Sequence, residues 1–338
     1  MKLPELEPIR LRHLAPARKE ILELAQRLCV AKCAAVIRDF QLFEDTKRTD
    51  ARAASVVTSV LELGVEAGLL KRTPTRLVPT AKLAQSAPYG ELLVEHSGTV
   101  QQDVVAFRWL TRALDALPSV LVGAVLAEEA LFPRNDFSLV SELYSQSSVF
   151  SFFSKVTVDL LAQSGAAKVL EVGGGTAGTA RALLERNPQL SYHFTDVAPL
   201  FVERAKSLGC TAQTLDLDAE NWHLDGARFN AIIALNVLHL AKNEERTLSR
   251  LRSLLEPGGV LVLGEVSKPN EHATFPLMEL TFGLLPSFRA KGSSPLKSPT
   301  QWNELITRAG FTKLTTLPLT IDASPTNLGS ITLAERPE

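Results

Sequence analysis

From about residue 165 onward the sequence settles into a rhythm that leaves few folds open. Short apolar runs alternate with amphipathic ones: KVLEV, a helix expected from Thr176, SYHFTD, a helix from Pro199, TAQTLDLD, FNAIIALNV, a helix from Glu244 to Leu255, and GVLVLGEV. Strands joined through helices do not pair as hairpins. They predict an α/β fold, a parallel sheet with helices on both faces. PGG at 257–259 reads as the turn into the fifth of these strands. A loop-rich stretch at about 268–298 interrupts the rhythm. Then TQWNELITRAG predicts a helix, and FTKLTTL and SITLAE predict two closing strands.

Residues 1–155 have a different texture, so the 338-residue chain divides into two expected domains, 1–155 and 156–338. Leu24, Leu28, Ala31 and Ala35 step by four, three and four, the spacing of one helix face. Asp50 is placed to cap a second helix that stops at Gly68. LLKRTPTRLVPT then reads as a small hairpin, and helix plus hairpin gives a mainly helical, winged-helix-like domain. A wing raises the question of DNA. Through residue 100 there are 15 Lys/Arg against 12 Asp/Glu, and the whole chain has a formal charge of -1, so no basic face is expected. A lid or docking role suits the domain better.

Composition excludes other classes. Hydrophobic residues at 45% and charged residues at 22% allow a substantial core and exclude wholesale disorder. No apolar run reaches the ~20 residues of a membrane span, and MKLPELEPIR lacks a signal peptide's apolar core. Three cysteines, an odd and sparse count, predict free thiols in a reducing compartment, hence the cytoplasm. Cys29 and Cys33 lie one helical turn apart with no second ligand pair, which predicts packing rather than a metal site.

KVLEVGGGTAGTA runs strand, glycine turn, helix. Gly173, Gly175 and Gly178 satisfy G-x-G-x-x-G, a pattern shared by nicotinamide, flavin and S-adenosylmethionine enzymes. The acids decide among them. Glu171 sits two residues before Gly173, where a carboxylate suits a cationic sulfonium amino acid and would repel a pyrophosphate. Asp196 ends the next strand, placed to accept ribose hydroxyls. Asp216 and Asp218 end the third strand, with Leu217 between them, where adenine would lie. Asn236, beyond the fourth strand, completes the expected S-adenosylmethionine contacts.

His239 follows the fourth strand and Glu265 ends the fifth. In the methyltransferase strand order these strands are neighbours, so the two side chains can meet at the carboxyl edge of the sheet. A carboxylate on one imidazole nitrogen fixes the tautomer and raises the basicity of the other, giving a general base. Such a base suits a phenol, an alcohol, or a carbon between two carbonyls. His193 alternates within a strand and reads as packing. His272 lies in the loop after the fifth strand and is a second-choice site residue. No metal is expected.

Beyond these motifs, the C-terminal two-thirds of the chain resembles the C-methyltransferase domains of polyketide synthases. The resemblance begins at Ala130-Leu-Phe-Pro-Arg-Asn-Asp136 and Glu142-Leu-Tyr-Ser-Gln-Ser147. It continues through LEVGGGTAGTA, YHFTDVAPLFVERA, LDLDAE, ALNVLHLAKN, LLEPGGVLVLGEV, LTFGLLPSFR and SPLKSPTQWNELITRAGF. It implies a Rossmann-like class I methyltransferase core with a mixed, mostly parallel seven-stranded sheet. It implies a catalytic pair at His239 and Glu265, and α-carbon methylation of a β-ketoacyl thioester on an acyl carrier protein. Tyr144 would line the substrate pocket, with His272, Phe282 and Phe288 as further candidates. Gly174 and Ala177 stand where the family usually has Ala and Gly, a swap expected to leave the fold intact. With no condensing, reductase or carrier segment, the chain is expected to act in trans. Arg289, Lys291 and Lys297 are the expected contacts for an acidic carrier surface. Two other readings stand beside this one: an O- or N-methyltransferase of a diffusible metabolite, and a non-catalytic domain that holds a carrier or partner. Degenerate domains of that last kind tend to lose the glycine loop or the base, and this sequence has both.

Overall fold

The computed structural model describes residues 18–44, 49–147, 149–224, 226–267, 276–289, 294–320 and 327–338. These fall into two compact units. The first holds the described residues up to Leu143 together with those between 272 and 295; the second holds the rest. The chain thus leaves the first unit at residue 143 rather than 155. The lid segment placed by the sequence at 268–298 is counted, for the most part, with the first unit.

In the first unit, α1 (Arg18–Phe40) buries Leu24, Leu28, Cys29, Ala31, Cys33, Ala34 and Ile37. This stripe is broader than the spacing suggests, and Ala35 is only half-buried. Burial pushes the Cys33 thiol up to about 12, so it packs as an inert apolar group. The Asp50 carboxylate accepts the Arg52 N–H and starts a short turn that feeds α2 (Ala54–Glu66). Gly68, at φ 72°, ends that helix. β1 (Leu70–Arg72) and β2 (Leu77–Pro79) then pair antiparallel as the expected hairpin. α3 (Val104–Leu121) is capped by Asp103 and buries Phe107, Trp109, Leu110 and Leu114. The Trp109 ring lies 4.9 Å from that of Phe282. Leu280, Leu284 and Phe288 are buried as well, so residues 276–289 add to this unit's core.

In the second unit, α4 (Phe150–Ser164) leads into a seven-stranded sheet. The elements follow as β3 (Lys168–Val172), α5 (Gly178–Arg186), β4 (Ser191–Asp196), α6 (Pro199–Lys206), β5 (Thr211–Thr214), β6 (Phe229–Leu235), α7 (Glu244–Leu254), β7 (Leu255–Val266), α8 (Pro299–Arg308), β8 (Thr312–Thr320) and β9 (Asn327–Glu335). The spatial order is β5-β4-β3-β6-β7-β9-β8. β9 runs antiparallel between β7 and β8, and the other pairs are parallel. This is the mixed, mostly parallel seven-stranded sheet that the resemblance implies; the alternating pattern by itself predicts only the parallel part of it.

One local expectation gives way. Pro257-Gly258-Gly259 is not a turn before β7 but a bulge within it. Pairing with β6 jumps from Phe229↔Leu255 to Ala231↔Val260. Gly258 takes φ 69° there, and its N–H bonds to the Arg336 carbonyl.

Leu170, Val172, Ile232, Ala234, Leu261 and Leu263 from the strands meet Leu248, Leu251, Trp302 and Ile306 from the helices in one core. Each large aliphatic side chain buried there contributes about 2 kcal/mol. Trp222 joins this core, with the Arg250 guanidinium stacked 3.9 Å from its ring. At the amino end of β6, Asn230 Oδ1 accepts the N–H groups of Ala167 and Lys168, and Nδ2 donates to Glu256 at 2.5 Å. One amide thus ties three strands together at the edge away from the glycine turn. The chain leaves β3 towards β4 but enters β6 on its other side. The resulting reversal opens a crevice at the carboxyl ends of the strands, where ligands bind in open α/β sheets.

Candidate active site

The crevice is built first by the turn after β3. Gly173, Gly175 and Ala177 take φ values of 62°, 51° and 59° before α5 begins at Gly178, two residues later than expected. A Cβ on Gly173 would lie 2.2 Å from Val237 Cγ2, and one on Gly174 would lie 2.1 Å from Phe194 Cε2. These two positions exclude any side chain. A Cβ on Gly175 would meet nothing within 4 Å, so the turn is open on that side. The exchange at 174 and 177 is therefore tolerated but not neutral. Gly174 is needed for space, and Ala177 holds a left-handed conformation at about 1 kcal/mol.

Glu171, 3% exposed, accepts a hydrogen bond on Oε2 from the Tyr192 hydroxyl at 2.8 Å. Burial pushes its carboxyl up to about 8; the Tyr192 bond works against that rise, and the charge of Asp196 adds to it. Asp196 accepts the Gly175 N–H on Oδ2 at 2.9 Å and the Ala198 N–H on Oδ1 at 2.8 Å. Burial raises its pKa, and these amide bonds oppose the rise. Asp216 is exposed and accepts the Asp218 N–H in a tight turn. Leu217 is partly buried against the core.

Two of the expected ligand contacts also have structural work. Asp218 Oδ1 accepts the Lys242 N–H at 2.7 Å. Asn236, at φ 52°, spends Oδ1 on the Val266 N–H at 2.8 Å, while its own N–H bonds to the Gly264 carbonyl. Asparagine suits this left-handed corner between β6 and β7.

The other half of the crevice holds the histidine. His239 lies in a one-turn 3-10 helix, Leu238–Leu240, just past β6. Its Nδ1 lies 2.6 Å from Glu265 Oε2, and the two residues are 4% and 1% exposed. Glu265 Oε1 also accepts the N–H groups of Val237 and Leu238, at 3.1 and 2.8 Å. A carboxylate already receiving two N–H donors is an acceptor, so Nδ1 carries the proton and Nε2 the lone pair. Tyr144 belongs to the same unit, with its ring 5.5 Å from Phe150; burial and the nearby charge of Glu265 push its phenol up.

The remaining candidates belong to the first unit, lie outside the described residues, or are held in an ion pair. Phe282 and Phe288 belong to the first unit, the former against Trp109 and the latter buried. His272, Lys291 and the Arg289 side chain lie outside the described residues. Lys297 is not an open cation: it pairs with Glu244 at 2.7 Å and lies over the Trp302 ring. Sequence reasoning missed Tyr192. The available signal was alternation, since Tyr192 shares the β4 face of Phe194, the residue paired with Glu171. Among the described residues, no group of His, Cys, Asp and Glu could hold a metal ion, and no helix is long and apolar enough to cross a membrane.

The donor set fits S-adenosylmethionine. Two buried acids end adjacent strands beside a glycine cradle open at Gly175, and a carboxylate there suits a cation and opposes a phosphate. Residues 170–261 match the methyltransferase domain family. The chain is a class I S-adenosylmethionine-dependent methyltransferase.

Comparison with known proteins narrows the type. The chain is 30% identical over 276 residues to the polyketide synthase PksR of Bacillus subtilis, covering 72% of this chain but 11% of that protein. It is 31% identical over 227 residues to the reducing polyketide synthase Preu2 of Preussia isomera, covering 62% of this chain and 10% of that one. Its fold matches the CurJ carbon methyltransferase with a TM-score of 0.83 at 24% identity, over 98% of this chain and 97% of that one. It also matches the trans-methyltransferase CalH, solved with SAH, with a TM-score of 0.69 at 22% identity, over 94% and 90% of the two chains. It is a methyltransferase of the polyketide-synthase type, and it spans about a tenth of the length of those curated relatives.

Proposed function

We propose that this chain methylates the α-carbon of a β-ketoacyl thioester carried on an acyl carrier protein. The observation that carries the reading is the buried His239–Glu265 pair at the carboxyl edge of the sheet, beside the glycine cradle. Carbon between two carbonyls is acidic enough for an imidazole to deprotonate, and it has no lone pair of its own with which to attack. It needs a base, and a buried imidazole with its tautomer fixed by a carboxylate is one.

Glu171 and Asp196 are assigned to the cofactor, at its amino-acid and ribose ends. Bound there, S-adenosylmethionine supplies an electrophilic methyl group. His239 Nε2 takes the α-proton, and the electron pair left on the substrate becomes the nucleophile. Glu265 holds Nδ1–H and stabilises the imidazolium that forms, as carboxylate–histidine pairs do in other general-base sites. The proton then passes from Nε2 to solvent. Tyr144, whose phenol feels the Glu265 charge, is assigned to the substrate side.

The test is methylation of a β-ketoacyl carrier protein supplied as a separate molecule, with S-adenosylmethionine, read by intact mass and fragmentation. A methyl on the α-carbon, absent with His239→Ala, is the expected result. Methylation of a free phenol or amine with no gain of mass on the carrier-bound chain would replace this reading with that of a small-metabolite enzyme.

A further inference from the structure

Glu171 is partnered on one side only. Oε2 takes the Tyr192 hydroxyl at 2.8 Å and lies 2.8 Å from where a Cβ on Gly174 would stand. Oε1 takes no hydrogen bond from the described residues. The neighbouring ionisable groups, Tyr192, Asp196 and Cys210, bring no positive charge. On the other side of β3, strand β6 reads FNAIIAL and has no ionisable side chain at all. A buried acid held by a single hydroxyl, with one oxygen open and no cationic partner among the described residues, awaits a cation from elsewhere.

We propose that Tyr192 is a positioning residue for the cofactor: its hydroxyl fixes Glu171 so that Oε1 meets the ligand's ammonium group, and uptake of the ligand expels a proton from Glu171. The inference rests on the assignment of Glu171 to the amino-acid end of S-adenosylmethionine. The sequence of events balances. The empty site holds a neutral carboxylic acid, the arriving ammonium pairs with the carboxylate, and the acid proton leaves to solvent. Tyr192 favours the ionised form by donating to it, so the hydroxyl reduces the cost of that exchange.

Calorimetric titration with S-adenosylmethionine tests this, comparing wild type, Tyr192→Phe and Glu171→Gln between pH 6.5 and 9. The ratio of variant to wild-type Kd at each pH cancels the ligand's own titration. Tyr192→Phe is expected to weaken binding about tenfold near pH 7, the value of one hydrogen bond to a charged group, with the ratio narrowing towards pH 9. In buffers of different ionisation heat at pH 7, wild type is expected to release a proton on binding and Glu171→Gln none. A Tyr192→Phe ratio that is flat with pH, in protein whose circular dichroism is unchanged, overturns the role of Tyr192 alone. Proton release persisting in Glu171→Gln overturns the assignment of Glu171 beneath it. Should Tyr192→Phe fail to fold, absence of proton release in wild type overturns the proposal by itself.

Discussion

Glu171 and Glu265 end two strands of one sheet, and both are almost completely buried. The fold treats them in opposite ways. Glu265 receives three donors, two of them backbone N–H groups from the turn that carries His239. Glu171 receives one, and burial pushes its carboxyl up to about 8. A buried acid surrounded by donors is a finished part of the protein, here the anchor that aims an imidazole. A buried acid left short of donors is complete only with a ligand in place.

Breaking the finished end should have the larger effects. His239→Ala is expected to lower kcat by about 10²–10⁴ while leaving the S-adenosylmethionine Kd within a factor of two or so, as removal of a general base does. Equal losses in both quantities would count against a role confined to the chemistry. Glu265→Gln should lower stability by about 3 kcal/mol, because an amide presents a donor where three donors converge. Urea denaturation measures this, and an unchanged midpoint would mean that the pair is looser than its geometry.

At the unfinished end the effects are smaller and depend on pH. Between its ordinary value of 4.5 and about 8, the folded chain keeps the Glu171 proton that the unfolded chain has released. Stability without ligand therefore falls as pH rises through that window and levels off above it. Glu171→Gln removes the penalty, so its advantage over wild type should grow from pH 5 to pH 8 by up to about 1.4 kcal/mol per unit. Parallel urea titrations at the two pH values check the sign. An advantage that stays flat instead would show that the acid is already ionised in the folded chain. The smallest effect is expected of Ala177→Gly. Relief of the left-handed conformation and the added freedom of the unfolded chain nearly cancel, leaving less than about 1 kcal/mol by thermal denaturation.

The same contrast explains what could be read from the sequence. Strand ends are legible because apolar runs stop there, so Glu171, Asp196, His239 and Glu265 could be placed before any coordinate was known. The His239–Glu265 contact needed only the neighbouring positions of β6 and β7. Side chains that serve the backbone are harder to read. Asn236 reads as a ligand contact, and nothing in the sequence announces its φ of 52° or its bond to Val266. Asp218 reads as an adenine acceptor, and its bond from the Lys242 N–H is equally unannounced. Lys297 and Glu244 are 53 residues apart, and nothing local in the sequence announces their ion pair. Tyr192 was hidden for another reason: an aromatic residue in a core strand reads as packing, and its hydroxyl acts only through a neighbour on the next strand.

The three tryptophans divide between the units, Trp109 in the first and Trp222 and Trp302 in the second. Each is buried, so its emission should shift to the red when its surroundings open. A chain carrying Trp222→Phe and Trp302→Phe would glow only from the helical unit, and one carrying Trp109→Phe only from the sheet. The two halves of the molecule thus come with separate optical labels, and a fluorimeter can follow the melting of one without seeing the other.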